Sequence, residues 1–329
     1  MPTPVKFLLV RLATTGDVVL TSPVVRCLKT QVPGAEIHYL TSRAGEPVVA
    51  DNPYIDRCFY LDTNLLQLIG QLRAERYDYI IDLQNDTRTA LLKLLVATRS
   101  VSYDAIRWQT RLMTRWKINV LPNLHIVDRF LATVAPFGVQ NDGKGLDYFI
   151  AYKDQIETDW LPPTHRSDYV AVVIGADRAT RRLPTPRLIE LCRKINYPIV
   201  LLGGKADMPV GNTIELAVGS RLIYNACGKY NPNQLASLMA GSRIVFSHDA
   251  DLMHVAAAFR KKIYSIWGNT TPLFGRYPYK TPFLILENNS LPCRPCSATG
   301  HDRCPLGHFN CLTELSFDFE VKELKREWR

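Results

Sequence analysis

Two Rossmann-like α/β domains with parallel sheets facing a central cleft are what this 329-residue sequence predicts. Three observations carry the prediction. Short apolar runs alternate with helix-like segments, and that alternation builds parallel sheets. The alternation runs twice, broken by a polar stretch at 161–168 whose Pro162-Pro163 pair suits a hinge. In each half, small and acidic residues gather where a strand ends, the edge at which open α/β sheets bind ligands.

Residues 6–12, with Phe-Leu-Leu-Val at their centre, read as the first strand. Ala13-Thr14-Thr15-Gly16-Asp17 is a tight polar turn, and 18–30 a helix with Pro23 in its early turns. A turn between strand and helix aims free amides at one point, so it can cradle an anion. The lone Gly16 is not a dinucleotide fingerprint, and Asp17 by itself also reads as a first-turn acid facing the helix macrodipole. Strands at 36–40 and 58–61, a helix at 65–75 and a strand at 79–83 follow, the last running into Gln84-Asn85-Asp86-Thr87-Arg88. Residues 99–117 hold five basic residues against one acid, Asp104. Arg107, Arg111 and Arg115 recur every four residues and form one stripe of a helix, with Trp108, Leu112 and Trp116 on the next. Such a helix either lies on an anionic surface with tryptophan at the headgroup boundary or packs its tryptophans inward. His125 opens a helix ending near Ala135, and 141–145 is a loop.

The second half restarts with strands at 169–174, 199–203 and 223–224 and helices at 186–195, 207–218 and 232–240. Strand 244–246, a polar turn at 247–251, helix 252–259 and strand 263–267 then lead into Gly268-Asn269-Thr270-Thr271-Pro272. Asp249 alone could be a helix cap. Its spacing to His254, with Trp-Gly-Asn-Thr-Thr-Pro behind, is more than a cap requires. Residues 317–329 read as a terminal helix.

Composition narrows the class. Hydrophobic content of 47% and charged content of 22% are those of a folded soluble protein. The net charge of +9 favours anionic partners: a nucleotide, a phosphorylated glycolipid or a bilayer surface. Nothing further in the sequence points to nucleic acid. The start shows no signal-peptide core, and no run approaches the roughly 18 apolar residues of a spanning helix, so a cytoplasmic protein is expected.

Four stretches resemble the glycosyltransferases that move heptose from ADP-heptose onto lipopolysaccharide core. Asp249, His254, the alanines 256–258, Gly268, Thr270 and Pro272 fall into register with the family's Asp-Thr-Gly-x-x-His and aromatic-Gly-x-Thr-x-Pro elements. Arg11-Leu12, Gly16-Asp17-Val18-Val19-Leu20-Thr21 and Pro23 match its N-terminal motif, His125–Arg129 a His-x-Val-acid-Arg stretch, and Arg181-Arg182-Leu183-Pro184 its Lys-Arg-Trp-Pro element. The resemblance implies the GT-B type of fold, with an acceptor domain at 1–161, a nucleotide-sugar domain at 162–312 and a last helix at 313–329 that crosses back. It implies an inverting, metal-independent transferase with Asp17 as general base. Thr14, Thr15, Gly16, Arg181, Asp249, Ala250, Asp251, Leu252, His254 and Thr270 would bind the donor. Arg88 and the Arg107, Arg111 and Arg115 stripe would bind a phosphorylated acceptor. Arg181 stands where the family's Lys meets the diphosphate, and its planar fork suits phosphate oxygens. Peripheral contact with the inner face of the inner membrane follows from the acceptor.

The chain departs from the family pattern at Ala250 and Asp251, which replace Thr and Gly. A carboxylate near the diphosphate costs on the order of 3 kcal/mol at ~5 Å and an effective dielectric near 20. That opens an alternative, a family member that binds sugar nucleotide or glycolipid without transfer, unless Asp251 points away or pairs with Arg178, Arg181 or Arg182. A nucleotide-sugar epimerase on the same fold would have no use for the 107–117 face. Of eight cysteines, Cys27, Cys58, Cys192 and Cys227 sit in apolar contexts. Cys293, Cys296, Cys304 and Cys311 crowd together with His301 and His308 nearby, at spacings unlike a zinc ribbon. Zinc, reduced thiols and disulfides all remain readings of that segment.

Overall fold

The structure, a computed structural model, describes residues 5–61 and 65–320. The first sheet contains β1 (Lys6–Arg11), β2 (Glu36–Thr41), β3 (Arg57–Tyr60), β4 (Tyr79–Asp82) and β5 (Arg99–Ser102) in the order β3-β2-β1-β4-β5. The second contains β6 (Val170–Val173), β7 (Ile199–Leu202), β8 (Ile223–Asn225), β9 (Ile244–His248), β10 (Lys262–Trp267) and β11 (Phe283–Glu287) in the order β11-β10-β9-β6-β7-β8. Every pairing is parallel. Strand order reverses between β1 and β4 in one sheet and between β6 and β9 in the other. Those reversals are where doubly wound sheets open a crevice, and the turns after β1, β6 and β9 all lie there.

Helices α1 (Thr15–Val19), α2 (Ser22–Gln31), α3 (Glu46–Val49), α4 (Leu65–Ala74), α5 (Thr87–Val96), α6 (Arg107–Trp116) and α7 (Ile126–Leu131) belong to the first half. Helices α8 (Thr185–Ile195), α9 (Met208–Val218), α10 (Pro232–Gly241), α11 (Asp251–Ala258) and α12 (Asn310–Thr313) belong to the second. Buried strands read as unbroken apolar runs because both faces are covered. One continuous core joins the halves, from Phe7, Leu9 and Ile37 through Val24 and Val127 to Val173, Val245 and Met253.

Four expectations need correcting. The helix expected at 18–30 is two helices, because Pro23 cannot donate and the Thr21 and Ser22 hydroxyls donate to the carbonyls of Val18 and Val19, each at 2.7 Å. Asp17 therefore sits inside α1 rather than in an open turn. The helix opened by His125 stops at Leu131, with a single 3-10 turn at Ala135–Phe137. The terminal helix does not begin at 317: residues 317–320 form no regular element, Phe319 N donates to Phe317 O in a tight turn, and the Phe319 ring packs on Phe246 and Tyr264 of the second sheet. Residues 321–329, where the rest of that helix was expected, lie outside the described residues. The edge strands β5 and β11 extend the alternation beyond its sequence signal. Among the described residues no helix is long and apolar enough to cross a membrane.

Candidate functional site

The turns at the two sheet reversals meet. The α1 turn leans on the start of α11, so closely that a Cβ on Gly16 would lie 2.4 Å from the Asp251 Cα. Only a glycine fits that approach. Thr14 donates its hydroxyl to Asp251 Oδ1 at 2.8 Å, closing the contact from the first half.

Asp17 is held by two arginines, Arg11 from β1 at 3.0 Å and Arg276 from beyond the 3-10 turn at Pro272–Phe274 at 2.5 Å. Burial alone would push the Asp17 carboxyl up, but the Arg276 and Arg11 guanidiniums outweigh it and hold it well below the usual carboxylate range. His254 lies behind, 4% exposed, on the buried face of α11. Burial first, and then the Arg276 charge, lower its imidazole to about 3, so it is neutral at physiological pH.

Asp249 follows β9 and is fixed on both oxygens. Arg181 reaches one at 3.2 Å, and the Thr270 hydroxyl donates to the other at 2.7 Å. The first turn of α11 has no side-chain cap: Ala250 occupies the cap position and offers no oxygen. Several polar atoms around this junction are buried and unpartnered among the described residues: Arg11 Nε, Arg181 Nε, Arg182 Nε, His254 Nδ1 and Asn269 Nδ2. Buried polar groups are normally satisfied. Asn269 Oδ1 is an unpartnered acceptor there as well, and the three guanidinium N–H groups are the donors suited to an anion. A cavity of about 450 Å³ opens beside it, lined by Thr15, Gly175, Asp177, Arg182, Asp207 and Asp251 among others. Larger hollows of about 790 and 970 Å³ lie elsewhere with one charged residue each in their linings, and two of about 590 and 460 Å³ lie along α6 with two arginines each.

Thr14, Thr15, Gly16, Asp17, Arg181, Asp249, Ala250, Asp251, Leu252, His254 and Thr270 thus fall at this junction. Asp251 neither turns outward nor pairs with the arginines expected of it. Arg178 binds Asp302, Arg181 binds Asp249, Arg182 approaches Asp207, and Asp251 is spent on Thr14. Burial raises the Asp251 carboxyl to about 6; Asp17 and Asp177 add to the rise, while the Thr14 and Gly16 hydrogen bonds oppose it.

The residues expected to bind acceptor are not at the junction. Arg88 lies in the exposed first turn of α5 and pairs with its own cap, Asp86, at 2.7 Å. Arg107, Arg111 and Arg115 stand exposed on α6 with no acidic partner among the described residues. Both tryptophans of α6 face out, Trp108 63% and Trp116 56% exposed. The inward-packing reading of that helix is therefore wrong. Arg276 is the site residue that motif reading missed, and its signal was a single basic residue in Gly275-Arg276-Tyr277.

The four clustered cysteines are free thiols. Cys293 Sγ lies 3.9 Å from His308 Nε2, but no three ligand atoms of this segment come within 4.8 Å of one another. Thiolates sharing one zinc lie roughly 3.8 Å apart; the four thiols here stand close enough to act on one another electrostatically but are wider, as a group, than even the 4.8 Å spacing. The group that does meet that spacing, Glu36, His38 and Glu75, is already bridged by Lys6 at 2.9 and 2.7 Å.

The model of glycosyltransferase family 9 (heptosyltransferase) matches residues 65–306. Lipopolysaccharide heptosyltransferase 3 of Escherichia coli K12 is 26% identical over 289 residues, covering 79% of this chain and 82% of the relative. Lipooligosaccharide heptosyltransferase 2 of Haemophilus influenzae is 22% identical over 285 residues, 79% of this chain and 82% of its own. Among solved structures, a family 9 glycosyl transferase from Veillonella parvula superposes with a TM-score of 0.70 at 21% identity, covering 88% of this chain and 87% of that one. The E. coli ADP-heptose heptosyltransferase II gives 0.68 at 19% identity, covering 94% and 98%. The E. coli heptosyltransferase WaaC with ADP gives 0.65 at 18% identity, covering 85% and 91%. These likenesses establish the two-domain GT-B architecture.

Proposed function

This chain belongs to glycosyltransferase family 9, the heptosyltransferases, and on that premise we propose that it transfers heptose, or a related sugar, from an ADP-linked donor to a lipopolysaccharide core acceptor with inversion. One observation carries the reading furthest: an ionised carboxylate, Asp17, stands across the junction from Arg181 and the uncapped start of α11. In the step, an acceptor hydroxyl oxygen bonds to the anomeric carbon as the bond from that carbon to the diphosphate oxygen breaks. The hydroxyl proton passes to Asp17, and the electron pair leaves with ADP.

The chain's own groups meet each need. Asp17 takes the proton. Arg181, aligned by Asp249 and Thr270, and the first amides of α11, at Asp251 and Leu252, receive the charge that develops on the leaving diphosphate. Thr14, Thr15 and Gly16 border the donor from the first half, and neutral His254 backs the same pocket without adding charge. The scheme needs no divalent ion, because Arg181 and the first amides of α11 supply the positive charge at the diphosphate. Closing of the halves on the donor would exclude water, which would otherwise hydrolyse it.

The acceptor is assigned to the basic side of the first half. Arg88 and the Arg107, Arg111 and Arg115 stripe suit core phosphates, and the exposed tryptophans beside that stripe suit the headgroup level of an anionic bilayer at the inner face of the inner membrane. A thermal-shift screen of nucleotides tests the donor half of the proposal. ADP and ADP-sugars should raise the melting temperature equally with and without EDTA. A response confined to other nucleotides, or lost with EDTA, would overturn it.

A further inference from the structure

Arg276 is not part of any motif that pointed to the site, yet it has the most contested position there. It reaches from the second half to Asp17 of the first at 2.5 Å, while Arg11 takes the other carboxylate oxygen at 3.0 Å. With both oxygens committed to guanidiniums, Asp17 is ionised but a poor proton acceptor. Base strength in catalysis follows the carboxylate's own affinity for protons. Around Asp17 stand Arg11 on β1, Tyr39 on β2, His254 and Asp251 on α11, and Arg276. Arg276 is the member of this set that enters from a loop rather than from a strand or helix, and it also faces Asp249, Tyr103, His125 and Arg129. It thus lies between the proposed base and the carboxylate that fixes Arg181 at the diphosphate site.

We propose that Arg276 is a transferable counter-ion, bound to Asp17 in the free protein and passed to the donor diphosphate on binding. This rests on the donor reading above and goes beyond it. A diphosphate competes well for a guanidinium, since two charged oxygens can accept its fork at once. The exchange couples two events: the leaving group gains a cation as the base loses one. Asp17 keeps Arg11, so it stays ionised while its proton affinity rises. Donor binding then activates the base, and an empty site does not carry a reactive carboxylate. Arg276 also ties the halves together, beside the hydrogen bonds from Ile126 N to Gly275 O and from Arg129 to Phe274 O.

The test compares wild type, Arg276→Gln and Arg276→Lys in ADP titration calorimetry and in the pH dependence of transfer. Arg276→Gln should bind ADP roughly 10- to 100-fold more weakly, the usual loss of a charged hydrogen-bonded contact, and Arg276→Lys should recover part of it. The acid limb of kcat/KM for donor reports the free protein and that of kcat the complex. In wild type the kcat limb should lie at higher pH, and in Arg276→Gln the two limbs should coincide. Equal ADP affinity in wild type and Arg276→Gln, with the limbs still apart, would overturn the exchange while leaving the donor reading intact. Wild type that binds no ADP would overturn both. If Arg276→Gln does not fold, Arg276→Lys decides: separate limbs support the exchange, and coincident limbs end it.

Discussion

Asp17 and Asp251 are neighbouring carboxylates driven in opposite directions, Asp17 down by its two arginines and Asp251 up by burial, and each gives a prediction. Asp17→Asn should lower transfer by ~10²–10⁴-fold, the usual worth of a positioned base. It also leaves Arg11 and Arg276 facing each other without their shared anion, and breaking a buried pair costs about 3–5 kcal/mol. A clearly lower melting temperature should therefore accompany the kinetic loss, with ADP affinity kept or improved because Arg276 is released. Wild-type turnover by a folded Asp17→Asn protein would reduce Asp17 to a structural ion-pair residue. Asp251 titrates near 6 in the folded chain, against 3.8 when unperturbed. Between those values the folded state binds more protons than the unfolded one, so this group's contribution falls as pH rises through that window. Asp251→Asn should accordingly be more stable than wild type at pH 8, with the advantage shrinking below pH 6 and gone near pH 4. Denaturant melts at the three pH values check this, and an advantage that is constant with pH would contradict it. Motif register found Asp17, Arg181, Asp249, His254 and Thr270, because their spacing follows strand ends. It could not find the Thr14–Asp251 hydrogen bond or the Arg276–Asp17 pair, which join residues more than 200 positions apart.

The contact of α1 with α11 and the exposed face of α6 are the elements on which the proposed function turns. A methyl group on Gly16 would meet the Asp251 backbone, which has no flexible end to move aside. Gly16→Ala should thus cost about 1–3 kcal/mol through forced displacement, and should weaken ADP binding along with stability. A Gly16→Ala protein as stable as wild type would mean the two elements do not pack this way. On α6, Arg107, Arg111 and Arg115 changed together to Gln should reduce binding to anionic vesicles by about 1 kcal/mol per charge, an effect erased by high salt. Wild-type tryptophan emission should shift to the blue on such vesicles, since Trp108 and Trp116 are 63% and 56% exposed. Equal binding by both proteins at low salt would remove the membrane from the account. Most elements were legible because buried parallel strands write themselves as apolar runs. The break between α1 and α2 was also written, in Thr21, Ser22 and Pro23, but as hydroxyl-to-carbonyl hydrogen bonds rather than as periodicity. β5 was not legible, since an edge strand of Arg-Ser-Val-Ser has only one half-buried side chain to mark it.

At the scale of the whole molecule, the turns at the two order reversals meet, and both halves contribute residues to that junction. The double alternation in the sequence announced the two sheets. It could not announce their closeness, which depends on Gly16, on the Thr14–Asp251 hydrogen bond and on Arg276 bridging to Asp17. The departures at Ala250 and Asp251 remove a cap hydroxyl and add a carboxylate, but the carboxylate is turned to Thr14 and the site's cations all remain. The account therefore predicts transfer and not binding alone. Its most direct test is mass spectrometry of a heptose-deficient lipopolysaccharide core acceptor incubated with the protein and ADP-heptose. The acceptor should gain one heptosyl residue, with anomeric configuration opposite to the donor's and no loss of yield in EDTA. A protein that binds ADP-heptose yet leaves the acceptor mass unchanged would contradict the account.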